Sequence, residues 1–167
     1  PGERAVVVVN HVSFLDGILL GAFLPGRPTF AVNTQIARSL WIRPFLKLFR
    51  AFPVDPTNPM AAKAMVKAVR EGRTLVIFPE GTRGNKADPA PFKAGLYHLA
   101  EAFPEVQLIP AWIDNVQRVM PKGEVVPVPI LCTATFGAPM QLQPGEDKRL
   151  FLERARVAVI ALRPVTT

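Results

Sequence analysis

His11 is followed five residues later by Asp16 in the run Asn10-His11-Val12-Ser13-Phe14-Leu15-Asp16. Where a chain turns from one element into the next, this spacing can bring a carboxylate to one imidazole nitrogen. The other nitrogen is then left to take a proton from a hydroxyl. The pair suggests acid/base chemistry. A plainer role exists for the same residues, because Ser13-x-x-Asp16 matches a capping box in which Asp16 satisfies backbone N–H groups at a helix start. A second cluster is Phe78-Pro79-Glu80-Gly81-Thr82-Arg83. Gly81 permits a turn closed to other residues, Thr82 offers a hydroxyl, and Arg83 offers a planar five-donor fork that suits phosphate. Glu80 is placed to bind substrate hydroxyls or to hold Arg83. The plain alternative is a turn with a solvated Glu/Arg pair of little energetic worth.

Both clusters follow runs that read as buried strands. Ala5 to Val9 is a continuous apolar, mostly β-branched run ending at Asn10-His11, and Thr74 to Phe78 is another. Between them the pattern predicts a helix from Phe14 to Leu24 ended by Pro25-Gly26, and a short strand over Thr29 to Val32. Asn58-Pro59 then forms an N-cap and N1 pair for a helix over Met60 to Glu71, closed by Gly72. Beyond, Phe92 to Phe103 reads as a helix and Val106 to Ile113 as a strand. Val125 to Phe136 reads as one or two strands near an edge, because Pro127 and Pro129 interrupt it. Glu146 to Leu162 is the closing helix, its acidic start and late Arg163 suiting the helix dipole. Alternation of strands and helices implies crossovers and hence parallel pairing. The expected architecture is a single-domain α/β layered sandwich: a mixed, mostly parallel sheet flanked by helices, with active groups at the carboxyl ends of its strands.

The 167 residues suit one domain, 1–167. The opening at Pro1-Gly2, directly before a strand, reads as a domain cut from a longer protein. Cys132, the single cysteine, excludes an internal disulfide and reads as a small buried hydrophobe. No Cys/His cluster has zinc spacing, so no metal is expected. Stretches free of charge and proline, such as Gly17 to Leu24, fall well short of the ~20 residues that span a bilayer. The net charge of +7 is concentrated: residues 35 to 73 hold eight Lys/Arg against Asp55 and Glu71. Within that region Arg43, Lys47 and Arg50 share one face of a helical pattern and Trp41, Phe45, Leu48 and Phe49 another. Such a segment fits a membrane interface, with its cations toward anionic headgroups. Packing of the same apolar face on the core is the alternative.

These motifs resemble those of the glycerolipid acyltransferase family, the phospholipid and lysophospholipid acyltransferases. The family's first motif, N-H-x-S-x-x-D, is matched by Asn10, His11, Ser13 and Asp16, and its third, F-P-E-G-T-R, by all six residues from Phe78 to Arg83. Phe92-Lys93-Ala94-Gly95 resembles its F-K-x-G, and Leu108 to Ile113 its apolar fourth motif, so the likeness covers about residues 5 to 115. The second motif departs: in Arg50-Ala51-Phe52-Pro53-Val54-Asp55-Pro56 a proline stands in the usual place of an arginine. With Asn58-Pro59-Met60, this wording looks closest to the acyltransferase part of the bacterial 2-acylglycerophosphoethanolamine acyltransferase/acyl-carrier-protein synthetases.

The resemblance implies that a fatty acyl group passes from an acyl thioester, acyl-ACP or acyl-CoA, to the free hydroxyl of a lysophospholipid. The acceptor would be of the 2-acylglycerophosphoethanolamine or lysophosphatidic acid type. In that reading His11 is the general base and Asp16 orients it. Glu80, Gly81, Thr82 and Arg83, with Asn10, Ser13 and Lys93, bind substrate, and neither cofactor nor metal takes part. The partners implied are the lysophospholipid, the acyl carrier protein or CoA thioester, and a membrane surface, at the cytoplasmic face of the bacterial inner membrane as a peripheral protein. An acyl-thioester or phospholipid hydrolase is the rival enzyme, although there is no G-x-S-x-G elbow. A basic nucleic-acid-binding module is the rival outside catalysis, although no standard motif for it appears.

Overall fold

The computed structural model describes residues 5–11, 15–24, 28–33, 47, 52–54, 59–81, 88–115 and 132–164. Six strands form one sheet: β1 (Ala5–Val9), β2 (Thr29–Asn33), β3 (Phe52–Val54), β4 (Leu75–Ile77), β5 (Gln107–Asp114) and β6 (Thr133–Phe136). Their order across the sheet is β3-β2-β4-β1-β5-β6. All neighbours are parallel except β5 and β6, which are antiparallel. The expected mixed, mostly parallel α/β sheet is therefore what the chain forms. Among the described residues the helices are α1 (Asp16–Phe23), α2 (Pro59–Arg70), α3 (Gly95–Ala102) and α4 (Lys148–Ile160).

The valine run of β1 explains why it is central. It pairs with β4 at Val6↔Leu75 through Val8↔Ile77 and with β5 at Ala5↔Gln107 through Val9↔Ala111. Alternation sends its side chains to opposite faces. Val6 and Val8 join Leu75, Ile77 and Leu108 in a core with Met65 and Val69 of α2, Leu96 and Leu99 of α3, and Phe151, Ala155 and Val159 of α4. Val7 and Val9 join Val76, Ala111, Ile113 and Phe30 in a second core under Leu20 of α1. Such burial of both faces is what a continuous β-branched run demands.

Element ends follow local chemistry. Gly72, at φ +75°, ends α2 in the left-handed conformation, with Gly72 N–H donating to the Val69 carbonyl and Arg73 N–H to that of Ala68. Asp147 caps α4 by accepting from the Arg149 and Leu150 N–H groups. The predicted helix over Phe92 to Phe103 begins later, at Gly95, because Lys93 N–H donates to the Pro79 carbonyl and not within a helix. Strand β3 has no counterpart in the sequence reading. It carries Pro53 and lies at the edge of the sheet, where a residue lacking an N–H is tolerated. Of the apolar run from Val125 to Phe136, residues 125–131 lie outside the described residues, and Thr133–Phe136 forms β6.

Candidate functional site

Three adjacent parallel strands, β4, β1 and β5, deliver their carboxyl ends to one rim. In open α/β sheets this rim is where ligands bind. Asn10 and His11 leave β1 there, Phe78, Pro79 and Glu80 leave β4, and β5 ends at Asp114. The two motif segments expected to share a site do meet.

His11 is fixed from three directions. Its Nδ1 lies 2.9 Å from Asp16 Oδ2 at the first turn of α1. Its backbone N–H donates to Glu80 Oε1 at 3.0 Å. Its ring lies against that of Phe78, with centroids 4.4 Å apart and planes tilted by 34°. Asp16 is completely buried, while the His11 side chain keeps 17% of its surface open. With the shared proton on Nδ1, His11 donates to Asp16, and Nε2 holds a lone pair able to receive a proton. As for the capping alternative, Leu15 is the N-cap of α1 and makes no side-chain cap bond, whereas Asp16 Oδ2 meets the imidazole.

Glu80 and Asn10 work from the interior. Glu80 is only 2% exposed, and its second oxygen, Oε2, accepts from Ala90 N–H at 2.8 Å. Both carboxylate oxygens are thus engaged by backbone, one on the His11 segment and one on the stretch after the third motif. Asn10, 1% exposed, accepts from Ile113 N–H at 2.8 Å through Oδ1 and donates from Nδ2 to the Ile113 carbonyl at 3.0 Å. Its amide extends the β1–β5 pairing by one rung and ties the start of the His11 loop to β5. Ala90 is not among the residues singled out from the sequence. The available signal was Pro89-Ala90-Pro91, in which Ala90 alone has an N–H to donate.

Gly81 stands at φ +72° and closes the turn after β4, its N–H donating to the Phe78 carbonyl. The aliphatic stem of Lys93 covers it: a Cβ on Gly81 would lie 3.4 Å from Lys93 Cε. Lys93 thereby stands beside the third motif, its side chain exposed. Ser13, Thr82 and Arg83 lie outside the described residues, as does the basic segment of residues 34–51 apart from Lys47, which is exposed.

The remaining polar candidates fall elsewhere. His98 is exposed on α3, with Nδ1 3.5 Å from Glu101 Oε2. The Cys132 thiol is pushed up by burial, and further by Asp114 and Asp16, which disfavours a thiolate nucleophile. Among the described residues no three His, Cys, Asp or Glu side chains gather as metal ligands would. None of the described helices is long and apolar enough to cross a membrane.

Residues 1–114 match the family model described as Acyltransferase. Among curated proteins, the 1-acyl-sn-glycerol-3-phosphate acyltransferase of Bacillus subtilis (strain 168) is 34% identical over 109 residues, covering 64% of this chain and 53% of that protein. The enzyme of the same name from Cocos nucifera is 28% identical over 162 residues, covering 88% of this chain and 49% of its own. The chain thus spans about half the length of these relatives. Among solved structures, the 1-acyl-sn-glycerophosphate (LPA) acyltransferase PlsC from Thermotoga maritima shares the fold with a TM-score of 0.73 at 20% identity, covering 97% of this chain and 66% of that one.

Proposed function

The chain belongs to the acyltransferase family, and from that premise we propose that it moves a fatty acyl group from an acyl thioester to the free hydroxyl of a lysophospholipid. The observation that carries this reading is the His11–Asp16 contact of 2.9 Å at the rim of β1, on a loop held by Glu80. The acceptor hydroxyl gives its proton to His11 Nε2 as its oxygen attacks the thioester carbon. Buried Asp16 steadies the imidazolium. The new C–O bond forms, the C–S bond breaks, and His11 passes the proton to the departing thiolate. A thiolate leaves readily, so the steps require no covalent acyl-enzyme and draw on no metal or cofactor. We assign the oxyanion to N–H groups at the amino end of α1, where the helix dipole favours negative charge.

Gly81 and Lys93 adjoin the rim, and with Ser13, Thr82 and Arg83 we assign them to the acceptor side, while Asn10, buried with both amide atoms on Ile113, anchors the His11 loop instead of contacting substrate. The names of the relatives favour a phosphate monoester acceptor, of the lysophosphatidic acid type. The proline in the usual arginine place of the second motif favours a diester such as 2-acylglycerophosphoethanolamine. Acyl-CoA and acyl carrier protein both supply the thioester this chemistry needs. Amphiphilic substrates and the basic segment at residues 35 to 73 support our reading of a protein peripheral to a membrane surface, the cytoplasmic face of a bacterial inner membrane.

The test measures thioester consumption by the purified protein with each donor, with and without a panel of lysophospholipids, and identifies products by mass spectrometry. Acyl transfer requires consumption to depend on acceptor and the diacyl product to accumulate. Equal consumption without acceptor, with free fatty acid as product, would mean a hydrolase.

A further inference from the structure

The contacts that fix Glu80 do not end at the motifs. Ala90, its donor, sits in Asp88-Pro89-Ala90-Pro91. Proline locks its own φ and pushes the preceding residue toward extended backbone, so this stretch is stiff before it is held by anything. Helix α4 holds it. Arg156 Nε donates to the Pro89 carbonyl at 2.9 Å, and Arg156 is itself steadied by Glu153 Oε1, 2.9 Å from Nη1. One turn past the helix end, Arg163 Nη2 donates to Asp88 Oδ1 at 2.5 Å, and the guanidinium lies 4.7 Å from the centroid of the Trp112 ring in β5. Trp112 precedes Ile113, the residue that Asn10 grips.

We infer that α4 is a positioning element of the site. Arg156 and Arg163 hold the Asp88-Pro89-Ala90 strut, whose Ala90 N–H fixes Glu80 and through it the His11 backbone. The inference rests on the acyl-transfer reading. It extends the site to a helix that begins 34 residues after the family match ends at residue 114. Arg156 and Arg163 touch no reacting atom. Their effect reaches the chemistry only through the placement of His11, where even an ångström of misplacement costs about a hundredfold in rate.

The experiment compares wild type, Arg156→Gln, Glu80→Gln, the double variant and His11→Ala. Initial rates are measured with oleoyl lysophosphatidic acid and palmitoyl-CoA, or palmitoyl acyl carrier protein if that donor is faster, and thermal unfolding is followed in parallel. Arg156→Gln is expected to lower kcat about tenfold, within the range of positioning effects, with KM for both substrates changing less than about twofold, as befits an interaction felt mainly in the transition state. In the Glu80→Gln background the same change should lower kcat no further, because the strut then has nothing to transmit. The inference is overturned if Arg156→Gln keeps wild-type kcat, or if it lowers kcat by the same factor in both backgrounds. Should Arg156→Gln fail to fold, Arg163→Gln serves instead, since its partner Asp88 is 58% exposed. If His11→Ala is inactive while the arginine variants are as fast as wild type, the inference alone falls. If His11→Ala transfers acyl groups normally, the acyl-transfer mechanism falls with it.

Discussion

At the scale of residues, the site is an imidazole held by a buried carboxylate and a backbone held by a second one. Asp16 Oδ2 meets the His11 ring, and Glu80 Oε1 meets the His11 N–H. Asp16→Asn keeps the size of the side chain but removes the charge that balances an imidazolium, so we expect kcat to fall at least about a hundredfold while circular dichroism stays unchanged. A fall of less than about threefold would show that the carboxylate only caps α1. Gly81→Ala probes the turn: at φ +72° a side chain costs about 1–2 kcal/mol, and the added Cβ meets only the flexible Lys93 stem at 3.4 Å. Urea unfolding should show that loss, and an unchanged midpoint would mean the turn relaxes. His11, Asp16 and Glu80 were legible because their types and spacing carry chemistry. The backbone partners of Glu80 and Asn10 were not. The N–H of Ala90 and the backbone of Ile113 are nearby only because the sheet folds residues 10, 80, 90 and 113 to one rim, and no local pattern encodes that distance.

At the scale of elements, patterning located most of what positions the site. The β1 valines and the Gly72 stop lie where the sequence pointed, and Asp147, read only as part of an acidic helix start, caps α4. Strand β3 escaped because its three residues, Phe52–Val54, are too short to show a strand pattern. Glu146, read as a dipole residue at the start of α4, has a more specific role. It accepts from Arg154 Nε and Nη2 at 2.7 Å each, while Arg154 Nη2 also donates to the Gln141 carbonyl. The Arg154 fork holds the Glu146 carboxyl below the ordinary glutamate range. A depressed carboxyl stabilises the fold above its unfolded value, about 4.3, and that contribution disappears as pH falls through the lowered folded value. Glu146→Gln should therefore cost up to about 1 kcal/mol at pH 7. The difference from wild type should shrink as the pH drops below 4.3, the usual glutamate value. Thermal melts across that window check it, and a pH-independent difference would assign the loss to packing.

At the scale of the whole molecule, one central strand flanked by two others concentrates every described site group on a single rim. Two cores, one on each face of the sheet, keep that rim rigid. Fully burying a side chain such as Phe151 in α4 is worth about 3 kcal/mol, so α4 is anchored firmly enough to act as the backing for the strut it holds. Fold class and the meeting of the two motifs followed from strand order and from the family resemblance. The identity of the acceptor did not follow, because headgroup choice depends on contacts over distances that neither charge nor spacing specifies. The most direct test of the account is the initial rate of acyl transfer by His11→Ala against wild type, at saturating donor and acceptor, with thermal unfolding measured on the same samples. Loss of the general base predicts a fall of about 10²–10⁴-fold at an unchanged melting temperature, and transfer at the wild-type rate would contradict the role given to His11.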